Sequence, residues 1–416
     1  MRGIISSMIS YEDAKNIVIE AGLARGCGAE TVQTQNAVGR ICARDIQAPI
    51  NIQPFDNSAM DGFAVRLDDL GADGGCLRKA GMIAAGDVAT NTEIEAGTCV
   101  EIMTGAPTPS GADAVVPVEL VEIDGDEVHF KAKPDMGANI RRAGEDFQKG
   151  MEVLKVGQTI HPQHIMPLAA LGIDKIEVYK KPRGVFLATG NELVEDLSQD
   201  LKPGQIYNSN RPYGLAALEA MGVECIEMPG LPDDSVQFEV LLNDLMQQDV
   251  DFIISSGAVS AGKFDFVRKG LEKAGAEILF HKVKIKPGKP NLFARLPNGT
   301  LYFGLPGNPV ATTAGLRFFV QPCLRAMMGM GEEKPIQAKA MTPFKKREDL
   351  RMFLKARAES WEDGLLTVDL LDGQASFMVS PFLSMNCWAV ALEGAEEIKA
   401  GDIIDVYPLY PHSGFL

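Results

Sequence analysis

The chain has 416 residues, a formal net charge of −16 and a composition that is 46% hydrophobic but only 7% aromatic. This acidic balance excludes nucleic acid as the main partner, because a phosphate backbone needs a broad basic surface, and it excludes docking to an anionic membrane surface. No apolar run is long enough to cross a bilayer, and the first ten residues, with one arginine and a short apolar stretch, do not make a signal peptide, although Met8 is a second possible start.

The length allows roughly two to four domains. Cys27, Cys42, Cys76, Cys99, Cys225, Cys323 and Cys387 are scattered with no C-x-x-C pair, as expected of reduced thiols in a cytoplasmic protein. His161 and His164 stand three apart with no further Cys or His close in sequence, so they read as structural.

In chain order, Ser10 caps a helix over residues 11–22, with Glu12 and Asp13 in its first turn and Ala14, Ile17, Val18 and Ala21 at helical spacing. A second helix is expected over 30–38 and a short strand over 41–46. Residues 54–65 place Asp56 and Asp61 among small side chains in a loop that runs into a strand. Either a ligand approaches that loop, or Asp and Asn cap their own turn. Short strands at 99–103, 114–117 and 128–131, between Gly and Asp turns, predict a β-rich domain, with Thr104 offering a hydroxyl at a strand end. Around Gly144, the pairs Arg141-Arg142 and Glu145-Asp146 make a surface ion-pair cluster, an anion clamp or a metal-ligating carboxylate.

From residue 183 the texture changes. Strands at 185–188, 223–228, 252–255, 277–281 and 301–304 alternate with helices at 213–221, 235–247, 264–274 and from 309 to about 327. This alternation predicts a largely parallel sheet in a doubly wound α/β domain. Ligands of such folds sit beyond the carboxyl ends of the strands. Three loops should therefore meet at one edge: Thr189-Gly190-Asn191-Glu192, residues 256–262, and Leu305-Pro306-Gly307-Asn308-Pro309. The Ser-Gly-rich loop also opens a helix, where free N–H groups favour phosphate. Residues 281–290 read HKVKIKPGKP, and as a strand they would set Lys282, Lys284 and Lys286 on one face, with Lys289 beyond a Pro-Gly turn. In so acidic a chain this is either a small-anion site or a solvated edge strand. With Glu192 and Asp265 nearby, the set suggests a phosphate-bearing substrate and Mg²⁺. After residue 333, strands at 351–356, 365–370 and 403–407 predict a terminal β domain, in which residues 376–384 carry polar groups able to border a ligand.

Taken together, these motifs resemble the molybdopterin molybdenumtransferase family, that of MoeA and the gephyrin E domain. They are Asn57-Ser58-Ala59-Met60-Asp61-Gly62-Phe63-Ala64, Met103-Thr104-Gly105-Ala106, Gly111-Ala112-Asp113, residues 142–146, Thr189-Gly190-Asn191-Glu192, residues 256–265, Lys286-Pro287-Gly288-Lys289-Pro290 and Leu305-Pro306-Gly307-Asn308-Pro309.

The resemblance covers nearly the whole chain. It implies a multidomain fold: a doubly wound α/β, molybdopterin-binding, MogA-like domain with a β-rich domain, a mixed helical and strand domain, and a C-terminal β-barrel-like domain. The expected division is 1–53 together with 147–182, then 54–146, 183–332 and 333–416. The resemblance further implies a homodimer with a cleft shared between subunits, adenylylated molybdopterin and molybdate as substrates, and AMP as a product. Other proteins of molybdenum cofactor biosynthesis are expected partners. By likeness, Asp61, Thr104, Asp146 and Glu192 are the catalytic candidates, and Glu192 and Asp265 the Mg²⁺ ligands. Ser256, Gly257, Ser260, Lys282, Lys286, Lys289, Pro306, Gly307 and Pro309 would bind substrate. Two departures from the family pattern stand out: Ala258 follows Gly257 where a second glycine is usual, and Lys263 takes the place of an acid. A pterin-binding or adenylyltransferase-like paralogue and a non-catalytic scaffold are the alternative readings.

Overall fold

The computed structural model describes residues 8–87, 93–228, 230–257, 266–346, 349–360 and 364–410. Ser260, Asp265, Ala258 and Lys263 lie outside the described residues.

The helix Tyr11–Arg25 starts where its cap predicts, the Ser10 side chain accepting from the Asp13 N–H at 3.1 Å. Its buried stripe of Tyr11, Ala14, Val18 and Ala21 joins a core built mostly from residues after 186. Gly22 faces the helix Gln321–Met327, and a Cβ there would lie 2.5 Å from the Cys323 carbonyl oxygen. Glycine is what allows the two helices to approach so closely.

Residues 30–38 do not form the expected helix. Ala29–Gln33 is a strand, paired antiparallel with Lys175–Tyr179, and a short 3₁₀ turn, Thr34–Asn36, follows. The β-branched Thr31 and Val32 suit a strand, and the partner strand settles the choice. His161 and His164 open the helix Pro162–Ala170, where the His161 N–H donates to His164 Nδ1 at 3.1 Å, a structural role as expected.

The β-rich unit is one six-stranded sheet in the order Ala114–Pro117, Gly62–Val65, Thr98–Ile102, Gly75–Ile83, Glu127–Phe130, Val121–Asp124. The central sheet of the molecule runs Glu224–Ile226, Arg183–Ala188, Phe252–Ser256, Leu301–Leu305, Leu292–Arg295, Glu277–His281. Its first four strands are parallel and its last two antiparallel. Both faces are covered, so the strands read as near-continuous apolar runs. Phe186, Phe252, Ile254 and Phe303 enter one core, while Val185, Leu187, Ile253 and Tyr302 enter the other.

In the C-terminal unit the long strand Arg351–Ser360 pairs with both Leu366–Leu370 and Cys387–Ala391. The strands Ile336–Ala340 and Ile403–Pro408 complete the circuit, which closes as a small barrel. The lysine stretch connects the two sheets. It is not a single strand: Lys282 takes a φ of 75° just after Glu277–His281 ends, and Ile285–Lys286 then pairs parallel with Arg351 and Met352 of the barrel. Val283 and Ile285 are buried in one and the same core, while Lys284, Lys286 and Lys289 are exposed and Lys282 is half-buried.

Candidate active site

The strands Arg183–Ala188, Phe252–Ser256 and Leu301–Leu305 are parallel neighbours, so their following loops leave the sheet side by side. These loops line a cleft of about 610 Å³ together with residues near Asn208 and Asp233, Pro290 of the lysine segment and Phe377 of the barrel unit. The convergence expected from strand order is therefore observed, with Thr189, Gly190, Glu192, Ser256, Gly257, Pro306, Gly307 and Pro309 all lining it.

Hydrogen bonds tie the loops into one rigid floor. Asn210 Nδ2 donates to Ser256 Oγ and to the Gly307 carbonyl, each at 2.7 Å. The Thr312 hydroxyl donates to the Pro306 carbonyl at 2.6 Å and lies 3.3 Å from Ser256 Oγ. The Thr189 N–H donates to the Ser256 carbonyl at 2.9 Å, and that of Gly257 to the Leu305 carbonyl at 3.0 Å. Gly257 has a φ of 107°, and a Cβ there would sit 2.6 Å from both the carbonyl oxygen and Oγ1 of Thr189. No other residue fits that seat. Ser256 is only 2% exposed, so its hydroxyl acts inside the floor, whereas Gly307 and Asn308 stand exposed at the surface of the cleft.

Two carboxylates face the opening. Glu192 is exposed, and Asp233, which sequence reasoning missed, stands close enough to feel its charge. Burial first, then the Glu192 charge, push the Asp233 carboxyl up from the ordinary carboxylate range. Its backbone N–H donates to Asn191 Oδ1 at 3.1 Å, which fixes it beside the Thr189–Glu192 loop. Asn210 was missed too. Neither residue lies in a motif, and only the approach of separate loops brings them to the site.

Lys289 stands on a tight turn next to lining residue Pro290, and Lys286 ends the strand that leads into that turn. The Lys282 N–H donates to the Asn291 carbonyl at 3.0 Å, and the Val283 N–H to that of Lys289 at 2.9 Å. Gly288 allows the turn with a φ of 100°.

The remaining candidates form a second cluster, in and beside the β-rich unit. Asp61 Oδ1 accepts from both the N–H and the hydroxyl of Thr104 at 2.7 Å. These two bonds, the N–H first, hold the Asp61 carboxyl below its ordinary value. Asp56 accepts from the Ala143 N–H at 2.8 Å and from the Arg142 guanidinium at 2.6 Å. The N–H, then the guanidinium, hold its carboxyl low as well. Asp146 is exposed beside them, its N–H donating to the Ile52 carbonyl at 2.9 Å. Among the described residues lining the cleft, none comes from this second cluster. Among the described residues, Cys76, Glu127 and His129 hold their donor atoms within 4.8 Å of one another, but all three are exposed on the β-rich sheet, and the thiol and imidazole are donors unsuited to Mg²⁺.

Comparison with known families now bears on these units. Residues 9–172 match the MoeA N-terminal region (domain I and II), residues 185–326 a probable molybdopterin binding domain, and residues 337–409 the MoeA C-terminal region (domain IV). Fold and cleft thus define a multidomain protein organised around an α/β domain of the molybdopterin-binding type. The chain is 37% identical over 405 residues to a molybdopterin molybdenumtransferase of Haemophilus influenzae, covering 96% of this chain and 98% of that one. It is 33% identical to the molybdopterin molybdenumtransferase of Synechococcus elongatus, covering 97% of this chain and 100% of the relative. A solved structure of the molybdopterin biosynthesis MoeA protein of Pyrococcus horikoshii superposes with a TM-score of 0.84 at 28% identity, covering 97% of this chain and 99% of that one. The chain belongs to the molybdopterin molybdenumtransferase family.

Proposed function

We propose that the protein inserts molybdate into adenylylated molybdopterin, releasing AMP and giving molybdenum-molybdopterin. The observation that carries this reading is the cleft beyond the parallel strands, with its glycine seat at Gly257, its exposed Gly307-Asn308 corner and the lysines at its margin. A ligand of this kind carries several negative charges, which the ammonium groups of Lys282, Lys286 and Lys289 offset in a chain that is otherwise acidic. The rigid floor holds phosphate and oxyanion in reacting geometry, which is most of what such a transfer demands of a protein. Family membership across both flanking regions favours this reading over an adenylyltransferase-like paralogue, and the ordered polar clusters favour it over a scaffold.

Glu192 and Asp233 fit a hard cation, since both offer oxygen donors at the cleft opening and the raised Asp233 acid marks two carboxylates in need of a positive partner. With Asp265 they would hold Mg²⁺, which supplies positive charge to the phosphate groups. Asp61, Thr104 and Asp146 complete the catalytic set. Because no residue of their cluster is among the described residues lining the cleft, the reading includes a homodimer in which a second copy brings the two together. A cytoplasmic location, and contact with other proteins of molybdenum cofactor biosynthesis, go with this reading.

The test is AMP release from adenylylated molybdopterin, with and without molybdate and Mg²⁺, for the wild type and Glu192→Ala. Molybdate-dependent release that disappears in the variant is expected. Tight substrate binding with no release under any metal would overturn the reading.

A further inference from the structure

Among the described residues, the barrel unit contributes one to the cleft, and it is an unusual one. Phe377 lines the cleft and is 70% exposed. Phe382, five positions on, is instead half-buried and meets Tyr213 and Trp388 edge-on at 6.1 and 6.2 Å. A phenyl ring left in water forgoes a large burial gain, so the backbone that holds it there requires an explanation.

That backbone is held with care. Ala375 to Met378 forms a turn, closed by the Met378 N–H donating to the Ala375 carbonyl at 3.1 Å, with Ser376 and Phe377 at its tip. Behind it lies Lys355, only 1% exposed. Its ammonium donates to the carbonyls of Gly373, Ala375 (3.3 Å) and Met378 (2.8 Å). The Gln374 side chain accepts from the Lys355 N–H at 3.0 Å and donates to the Lys355 carbonyl at 2.8 Å. In front, the Ser376 carbonyl accepts from the Val310 N–H at 3.2 Å, which pins the turn to the helix that follows the Pro306-Gly307-Asn308-Pro309 corner. Burying an ammonium is costly unless its donors are used, and here they are used on the turn that carries Phe377.

We infer that Phe377 is a stacking platform for a planar heterocycle of the ligand, and that buried Lys355 is the positioning residue that holds the platform in the cleft. The inference rests on the proposed function and adds to it, since the substrate contains two such heterocycles, a pterin and an adenine. An aromatic face binds either one without reading its edge.

The experiment measures binding of three probes to the full chain by calorimetry: AMP, 6-carboxypterin, and ribose 5-phosphate, which keeps the phosphate but has no aromatic ring. The variants are Phe377→Ala, Phe377→Trp, Lys355→Met, and Phe377→Ala combined with Lys355→Met. Phe377→Ala should weaken AMP or the pterin about 5- to 100-fold while leaving ribose 5-phosphate unchanged, and the probe affected identifies the ring that stacks. Phe377→Trp should restore affinity, and its indole emission should be quenched by the same probe. Lys355→Met should weaken that probe too, with no further loss in the double variant, because Lys355 acts through the ring. An additive double variant would reduce Lys355 to a general structural role and overturn its half of the inference. Equal probe affinities in the wild type and Phe377→Ala overturn the platform, and if the dimer dissociates instead, the ring is a subunit contact. A wild type that binds neither AMP nor the pterin overturns the proposed function, and this inference with it.

Discussion

Asp61 and Thr104 are joined twice through a single oxygen: Oδ1 of the aspartate accepts both the N–H and the hydroxyl of Thr104, each at 2.7 Å. The pair fixes the rotamer of an exposed carboxylate through one of its two oxygens. Thr104→Val keeps the N–H bond and the side-chain shape but removes the hydroxyl. If Asp61 acts in the reaction, AMP release should fall between about tenfold and a hundredfold, as expected when a reacting group loses its alignment. The melting temperature should barely change, because the pair is at the surface. A variant with wild-type turnover would remove Asp61 alignment from the mechanism.

Gly257→Ala tests the floor of the cleft. The added methyl would meet Thr189 at 2.6 Å with the backbone at a φ of 107°. Strain of this kind costs about 1–3 kcal/mol, and the loops must separate to relieve it. Thermal melting should shift down by several degrees and AMP affinity should fall about tenfold. Gly307→Ala, whose methyl would meet Gly257 Cα at an ordinary 3.5 Å, should be milder in both assays.

The Glu192–Asp233 pair predicts a pH dependence. Burial and the Glu192 charge raise the Asp233 acid, so the folded protein holds that proton to higher pH than the unfolded chain does. The resulting contribution to stability is complete below the unfolded value of about 3.9 and is lost as pH rises through the raised folded value. Mg²⁺ competes with the same proton, so its affinity should weaken on acidification sooner than a solvated carboxylate pair would allow. Carboxyl NMR titration should show the Asp233 midpoint moving down in Glu192→Gln, and an unmoved midpoint would mean that burial alone sets it.

Arg317 carries a stability prediction. It is 4% exposed, it donates to the Pro408 carbonyl at 2.9 Å and to Glu333 at 2.7 Å, and its guanidinium lies over the Tyr407 ring at 5.2 Å. Glu333→Gln leaves that buried cation without its carboxylate and should cost about 3 kcal/mol, read as a lower urea midpoint. Combining it with Arg317→Met should recover part of the loss, since the uncompensated charge is then gone.

What the sequence made legible follows how local each signal is. Glu277–His281 and Ala114–Pro117 form over the expected residues, because apolar, strand-favouring runs between turns state their own structure. The cleft was legible for a related reason: loops after neighbouring parallel strands have nowhere else to go. Ala29–Gln33 was misread because its partner begins at Lys175, and pairing over that separation leaves no mark in a local window. The alternating lysines promised one charged face, but the positive φ of Lys282 breaks the period, and the segment leaves one sheet at His281 before Ile285–Lys286 joins another. Asp61 and Thr104 are 43 residues apart, and only folding shows that Asp61 accepts from both donors of Thr104.

The packing of the first helix has a consequence for synthesis on the ribosome. Tyr11–Arg25 leaves the ribosome long before Gln321–Met327, the helix it rests on, and Lys15 reaches Glu332, 317 residues further along the chain. Until that late helix appears, the stripe of Tyr11, Ala14, Val18 and Ala21 has no native cover. Nascent chains are thus exposed to aggregation for most of their translation. Truncation anywhere before residue 327 should leave the early segments dependent on chaperones, so units that look separable along the sequence are not separable as folding units.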